Sequence, residues 1–232
     1  MKKLLIIIPA YNEAQNIERV VDNLIQNFSQ YDYLVVNDGS QDNTADICRK
    51  KGYELLDLPI NLGLAGAFQT GVRYAYKKGY EMVLQLDGDG QHNPKYIEKM
   101  ILAMKEHKAD IIIGSRFVES ENPPFSLRTL GGRIISWAIK LTTGVKIYDP
   151  TSGMRLYNKS VLREFAYIMN YTPEPDTISF LMRRGAKVKE VQVEMEERIA
   201  GESYLNLKNA VKYMVHMCVS ILLVQIFRLR GK

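Results

Sequence analysis

An α/β fold, with a mostly parallel sheet covered by helices on both faces, follows from three features of this sequence. Short, almost continuously apolar runs alternate with segments of helical periodicity over the first half of the chain. Those runs lack the apolar–polar alternation of a sheet with one wet face, so they read as strands buried on both sides. Polar clusters follow the first, second and fourth runs, at the carboxyl ends of the strands, where open α/β sheets bind ligands.

The first strand occupies residues 4–8, five consecutive Leu and Ile. Lys2 and Lys3 ahead of it imitate a signal peptide, but the run stops at Pro9 and no small-residue cleavage site follows. Ile17, Val20, Val21, Leu24, Ile25 and Phe28 recur at helical spacing and make residues 14–28 an amphipathic helix. Residues 33–36 form a second strand, 44–51 a helix and 54–58 a third strand. A helix over 64–78 is stopped by Gly79. The fourth strand, 82–86, runs straight into Asp87, Pro94 opens a helix that reaches 107, and 110–113 is a strand. Residues 117–128, with Pro123 and Pro124, read as a mobile loop.

The second half is less regular. It offers a helix over 134–143, a short strand over 154–157, a short helix over 160–165 and a helix over 177–184 halted by Gly185. Over 188–193, Val188, Val191 and Val193 stand against Lys189 and Glu190, as in a strand near a sheet edge. A last helix spans 205–228. The chain thus divides into an α/β domain, 1–204, and a C-terminal amphipathic and apolar helix within 205–232.

With 46% hydrophobic and 25% charged residues, the 232-residue chain is globular rather than disordered or collagen-like. Two cysteines, Cys48 and Cys218, cannot build a disulfide framework, so a reducing compartment is the default. The net charge of +5 is uneven: residues 201–232 hold five Lys and Arg against Glu202 alone. That concentration argues against a spread-out nucleic-acid footprint. Residues 213–227 are mostly apolar but fall short of the ~20 that a spanning helix needs. Lys208, Lys212 and His216 lie four apart, and Arg228, Arg230 and Lys232 close the chain. Such a segment suits an interfacial helix on an anionic membrane surface, and docking on the domain or on a second subunit of a homo-oligomer is the other reading. The membrane reading places the protein peripherally on the inner face of the cell membrane.

The chemistry gathers in the polar clusters. Asp87-Gly88-Asp89-Gly90-Gln91 sets two carboxylates two residues apart at a strand end. These hard oxygen donors suit Mg²⁺ or Mn²⁺, ions that keep water or substrate phosphates among their ligands. Asp-Gly is also a common turn pair. A calcium loop fails because Gln91 and His92 stand where another Asp or Asn and the Gly belong. In Pro9-Ala10-Tyr11-Asn12-Glu13, Tyr11 offers a flat face for a nucleobase, Glu13 can accept from a base or ribose, and Asn12 suits a helix cap. Asp38 can accept from a pyrimidine N–H. Gly63 and Gly66 precede or open a helix and permit close backbone approach to a ligand, though neither a dinucleotide fingerprint nor a P-loop is present. Trp137 reads as core or lipid-edge packing, and His92, His107 and His216 are too scattered for a metal triad.

These clusters, in this order, resemble glycosyltransferase family 2, and in particular its dolichyl-phosphate mannose synthase-like and bactoprenyl-phosphate members. Gly114-Ser115-Arg116, the run from Asp149 to Arg155, and Arg198 with Gly201 and Ser203 extend the match over roughly residues 3–204. The resemblance implies a GT-A fold, a nucleotide-diphosphate sugar donor (UDP- or GDP-linked), a divalent cation, inversion at the anomeric carbon and a lipid-linked acceptor. It assigns Pro9, Tyr11, Glu13 and Asp38 to the donor's base and ribose. It counts Gly66, Asp87 and Gly88 in the donor site, makes Asp87 and Asp89 the acidic pair with Gln91 as a further metal ligand, and sets Arg116 and Arg198 against phosphates.

Two departures bear on the acceptor. Tyr204 replaces a cation usual in the phosphate-lipid enzymes, and Pro173-Glu174-Pro175-Asp176 stands where they carry a different segment. A phosphate acceptor is already anionic, whereas a sugar hydroxyl needs a base. Glu174 and Asp176, ahead of a helix, are candidate bases, with helix-start acids favoured by the dipole as the alternative, and Glu174 together with Tyr204 leans the reading towards a saccharide. Asp149 is a weaker base candidate that can instead orient the acceptor loop. The competing functions are a nucleotidyltransferase, which would want a basic glycine-rich loop where Tyr11-Asn12-Glu13 stands, and a non-catalytic membrane or partner module.

Overall fold

The computed structural model describes residues 3–119, 127–168, 172–196 and 207–224. Seven strands, β1 (Leu4–Ala10), β2 (Asp32–Asn37), β3 (Leu55–Asp57), β4 (Met82–Gln85), β5 (Ile111–Ser115), β6 (Arg155–Asn158) and β7 (Val188–Gln192), form one sheet in the order β3-β2-β1-β4-β6-β5-β7. All pairs are parallel except those of β6, which runs antiparallel between β4 and β5. β1, the run that imitates a signal peptide, lies at the heart of the sheet, and β7 lies at its edge.

Side chains alternate across the sheet as the pleat requires. Leu5 and Ile7 face one core, with Phe68, Ile139 and Ile178. Leu4, Ile6 and Ile8 face the other, with Ile17, Cys48 and Met100. The second core lies under α1 (Ile17–Asn27), α2 (Thr44–Lys51) and α4 (Ile97–Glu106). The first lies under α3 (Gly63–Lys77), α5 (Leu127–Thr143), α6 (Lys159–Arg163), α7 (Pro175–Arg183) and α8 (Leu207–Val219). Burying both faces of a parallel sheet is what makes its strands continuously apolar.

Two helices differ from expectation. α5 begins at Leu127, seven residues before the helix read from the sequence. Gly131 and Gly132 are poor helix formers and mask its first turns, but packing overrides propensity, since a Cβ on Gly131 would touch Met214 Sδ of α8 at 3.5 Å. The terminal segment does form a helix, α8, continued by a π-helical turn at Ser220–Val224. Its inner side is core: Met217 and Ile221 are buried in the cluster beneath α5 and α7. Lys212 and His216 are exposed together on the outer side, whereas Arg228, Arg230 and Lys232 lie outside the described residues. Among the described residues, no helix is long and apolar enough to cross a membrane.

Candidate active site

The carboxyl ends of β1, β2 and β4 bring three of the polar clusters to one edge of the sheet. The loop after β1 is tied to the loop after β2. Asn12 takes φ +56°, a conformation rare outside glycine. Its N–H donates to Ser40 Oγ at 2.9 Å and its Oδ1 accepts from Gln41 N at 2.8 Å. Asn12 therefore bridges two loops rather than capping α1, as the sequence suggests. Glu13 N donates to Thr44 Oγ1 at 2.9 Å, and Ala14 N to Asp42 Oδ2 at 3.0 Å. Burial opposes the charge on Asp42, but hydrogen bonds from Thr44 and Ala14 prevail and hold its carboxyl below the usual range. Glu13 Oε2 accepts from Asn16 Nδ2 at 2.8 Å, and Tyr11 is half-buried at the rim.

Asp38 is buried at the end of β2, its Oδ1 accepting from Leu62 N at 2.7 Å. This bond draws the Asn61–Gly63 turn onto the strand end. Burial pushes the Asp38 carboxyl up, against the backbone donors at Leu62 and Gly63. Gly39 is required beside it: φ is +65°, and a Cβ would stand 2.6 Å from the Ile60 carbonyl carbon. Gly66 has a local reason as well, since a Cβ there would collide with Leu62.

The acidic pair follows β4. Gly88 crosses the end of β1, where a Cβ would lie 3.3 Å from Pro9 O. Asp87 is partly open and its N–H donates to Nδ1 of the buried His92 at 3.3 Å. Asp89 is buried, its Oδ1 accepting from Gln91 N at 3.0 Å and its carbonyl accepting from Arg19 Nη2 at 3.2 Å. Gln91 Nε2 points to the Glu196 carbonyl at 3.5 Å, and Glu196 N donates to Gln91 O at 2.9 Å. The acidic loop is thus clamped to the chain just after β7. Among the described residues, no cluster of three or more Asp, Glu, His or Cys assembles. A carboxylate pair with so few protein ligands fits a hard divalent cation that takes its other oxygens from phosphate and water.

On the other side of the acidic loop runs the segment 149–155. Arg116, at the end of β5, grips Asp149 through both carboxylate oxygens, Nε to Oδ2 at 2.7 Å and Nη2 to Oδ1 at 2.8 Å, and its own N–H adds a bond to Oδ2 at 3.1 Å. Asp149 is only 1% exposed. Its carboxylate therefore orients the guanidinium, with both oxygens engaged by Arg116. Glu190, whose carboxyl burial pushes up, holds the backbone N–H groups of Tyr148 and Asp149. The fully buried Arg155 donates to the carbonyls of Ser152, Pro150 and Pro173. Gly153, between them, brings this segment against Asp87.

Glu174 and Asp176 turn inward. The Tyr213 hydroxyl of α8 donates to Glu174 Oε2, and Ser220 Oγ donates to Asp176 Oδ2 at 2.7 Å. Glu174 is half-buried, and desolvation pushes its carboxyl above the usual range despite Tyr213 and the nearby Arg155. Both acids anchor the C-terminal helix. Arg198 and Tyr204 lie outside the described residues.

A cavity of about 750 Å³ opens beside Arg116, walled by Arg133, Lys140 and Lys146 together with Trp137 and Thr151. Sequence reasoning missed these cations, because they are scattered along α5 and the turn after it. It also missed Arg19, whose partner Asp89 lies in another element, and the bond from Asp87 N–H to His92 within the acidic loop. Asp149 in sequence with Arg155 was the nearest pointer to the buried arginine.

The sequence model described as glycosyl transferase family 2 matches residues 5–165. An undecaprenyl-phosphate mannosyltransferase of Micrococcus luteus is 30% identical over 220 residues, 88% of each chain. A UDP-N-acetylglucosamine–dolichyl-phosphate N-acetylglucosaminyltransferase of Methanococcus voltae is 32% identical over 182 residues, 70% of this chain and 72% of the relative. Among solved structures, a mannosyltransferase from Pyrobaculum calidifontis in complex with GDP-Man and Mn²⁺ superposes with a TM-score of 0.63 at 15% identity, covering 96% of this chain and 70% of that one.

Proposed function

The chain belongs to glycosyl transferase family 2 and has the GT-A fold, and on that premise we propose that it transfers a sugar from a nucleoside-diphosphate donor to the phosphate of a membrane polyprenyl lipid, with inversion. Family membership sets aside the nucleotidyltransferase reading. One observation carries the choice of acceptor. Each carboxylate expected to serve as a base is engaged within the protein, Asp149 by Arg116, Glu174 by Tyr213 and Asp176 by Ser220, while in the adjoining cavity Arg116, Arg133, Lys140 and Lys146 outnumber Glu119 and the paired Asp149. A sugar hydroxyl would need a base, and a phosphate needs only cations. The names of the Micrococcus and Methanococcus relatives support the same acceptor.

In this reading Tyr11, Glu13 and Asp38 receive the base and ribose beside Pro9, and Gly88 lets the diphosphate approach the backbone. Asp89, with Asp87 and Gln91, would hold Mg²⁺ or Mn²⁺, which when bound neutralises charge growing on the departing diphosphate. Arg116, held in plane by Asp149, meets the acceptor phosphate, and Arg198, which lies outside the described residues, is read as a second cation for the phosphates. A phosphate oxygen attacks the anomeric carbon as its bond to the nucleoside diphosphate breaks. The products are a glycosyl phospholipid and the free diphosphate, and no proton needs removal. The protein works peripherally at the inner membrane face.

Incubation of the purified chain with Mn²⁺, a polyprenyl phosphate and GDP- or UDP-linked sugars tests this. The expected result is release of nucleoside diphosphate and an acid-labile glycosyl phosphate lipid. Transfer only to the hydroxyl of a lipid-linked saccharide would overturn the assignment.

A further inference from the structure

Asp89 is held through side chain and main chain alike. Its Oδ1 accepts from Gln91 N at 3.0 Å, and its carbonyl accepts from Arg19 Nη2 at 3.2 Å. Arg19 stands in α1, 70 residues earlier in the chain. Its guanidinium also covers the next residue of the acidic loop. A Cβ on Gly90 would lie 2.2 Å from Nη2, 2.9 Å from Cζ and 3.1 Å from Nη1 of Arg19, so the fork fills the place of a side chain there. Gly90 is left-handed as well, with φ +78°, and both features call for glycine. On this side the loop borders a cavity of about 410 Å³, walled by Asn23, Phe28, His92 and Glu196 together with Arg19. The Asp89–Gly90 peptide therefore leans there on a guanidinium rather than on close-packed core. Elsewhere the loop is tied by main chain, through Glu196 N to Gln91 O at 2.9 Å and the bridge between His92 and Met195.

We propose that Arg19 is a positioning residue of the metal site, which fixes the Asp89–Gly90 peptide and so aims the Asp89 carboxylate at the cation. This rests on the reading of Asp89 as a metal ligand. The carbonyl and the carboxylate of Asp89 hang on one α-carbon, so fixing the peptide narrows the directions open to the side chain. A planar guanidinium holds a chosen orientation, and its charge makes the bond to the carbonyl about twice as strong as a neutral one. Charge alone argues for the opposite result. A cation beside the acidic loop repels a divalent ion, and on that ground its removal would tighten metal binding. Arg19 is exposed, so solvent and salt screen this repulsion. Groups that orient metal ligands contribute about 10–100-fold to metal affinity, and that effect outweighs a screened repulsion.

Mn²⁺ binding to the full chain tests this, read from the free-ion electron paramagnetic resonance signal in the presence of UDP and, separately, of GDP. Arg19→Met should weaken Mn²⁺ binding about 10–100-fold, with the fold retained by circular dichroism. The Mn²⁺ concentration for half-maximal transfer should rise by the same factor, while kcat at saturating Mn²⁺ stays within about threefold of wild type. Arg19→Lys keeps the charge and loses the fork, and should bind Mn²⁺ at least about threefold more weakly than wild type. Unchanged or tighter binding by Arg19→Met, or wild-type affinity in Arg19→Lys, overturns the proposal. Asp89→Ala is the reference for the reading beneath it. If wild type takes up no more Mn²⁺ than Asp89→Ala, the metal assignment falls and the role of Arg19 falls with it. If wild type exceeds Asp89→Ala and Arg19→Met matches wild type, the metal assignment stands and the role of Arg19 alone is lost.

Discussion

Gly153 lies so close to Asp87 that a Cβ added to it would stand 2.3 Å from the carboxylate Oδ2. The segment that presents Asp149 to Arg116 therefore meets the acidic pair only because residue 153 has no side chain. Gly153→Ala should push either Asp87 or the segment aside. A displacement of about 1 Å at a reacting site costs on the order of 10²-fold, so we expect that loss in kcat/KM with the fold retained by circular dichroism. Wild-type turnover would show that the contact has no positional role.

If Asp89 holds the metal as proposed, Asp89→Ala should lower transfer by at least ~10²-fold, because it removes an oxygen ligand of the ion that stabilises the leaving group. The check is turnover across a Mn²⁺ titration, with circular dichroism as the control for folding. Near-normal rates would remove Asp89 from the metal site.

Glu174→Gln and Asp176→Asn separate the acceptor classes. With a phosphate acceptor, both variants should keep turnover within about threefold of wild type, since the amides still accept from Tyr213 and Ser220. A general base would lose roughly 10²–10⁴-fold. A loss of that size in either variant would restore the hydroxyl acceptor.

Glu174 also sets a pH dependence of stability. Its carboxyl is raised in the folded chain from an ordinary value of 4.5, chiefly by burial. The folded state then holds the proton more tightly than the unfolded chain. Its contribution is complete below about 4.5 and is lost as pH rises through the raised pKa. Melting temperatures of wild type and Glu174→Gln, measured from pH 4 upward, should diverge in favour of the variant. Parallel curves would contradict the shift.

Arg116→Met leaves the Asp149 carboxylate buried without its partner and should destabilise the chain by about 3–5 kcal/mol. Adding Asp149→Leu should restore much of that stability, because an apolar pair of similar volume needs no compensation. Activity should stay lost in both variants, since the cation proposed to meet the acceptor is gone. Recovered turnover in the double variant would make the pair purely structural. Chemical denaturation and the transfer assay, run side by side, distinguish these outcomes.

The strands and the acidic loop were legible because their signals are local. Five consecutive aliphatic residues can only be a buried strand here, and the Asp87–Gln91 cluster lies where the sequence puts it, directly after β4. The position of β6 was not legible, because antiparallel insertion between β4 and β5 depends on which edges the other strands leave open. The early turns of α5 were hidden by Gly131 and Gly132, whose cost is offset by contact with a helix some eighty residues further on. Glu174 and Asp176 show the deeper limit. An acid at a helix start looks the same whether it takes a proton from substrate or a hydrogen bond from Tyr213 and Ser220, 39 and 44 residues downstream.

The antiparallel strand has a consequence for how the protein is made. β6 joins β4 to β5, and it is synthesised after both. Until it is made, β4 has no partner on the edge beside the acidic loop, and β5 has no neighbour in the sheet. Unpaired edges of this kind invite aggregation, and pairings across so much sequence form slowly. Chains cut before residue 155 should therefore collect in inclusion bodies, and the short strand Arg155–Asn158 is the stitch that makes one sheet of two halves.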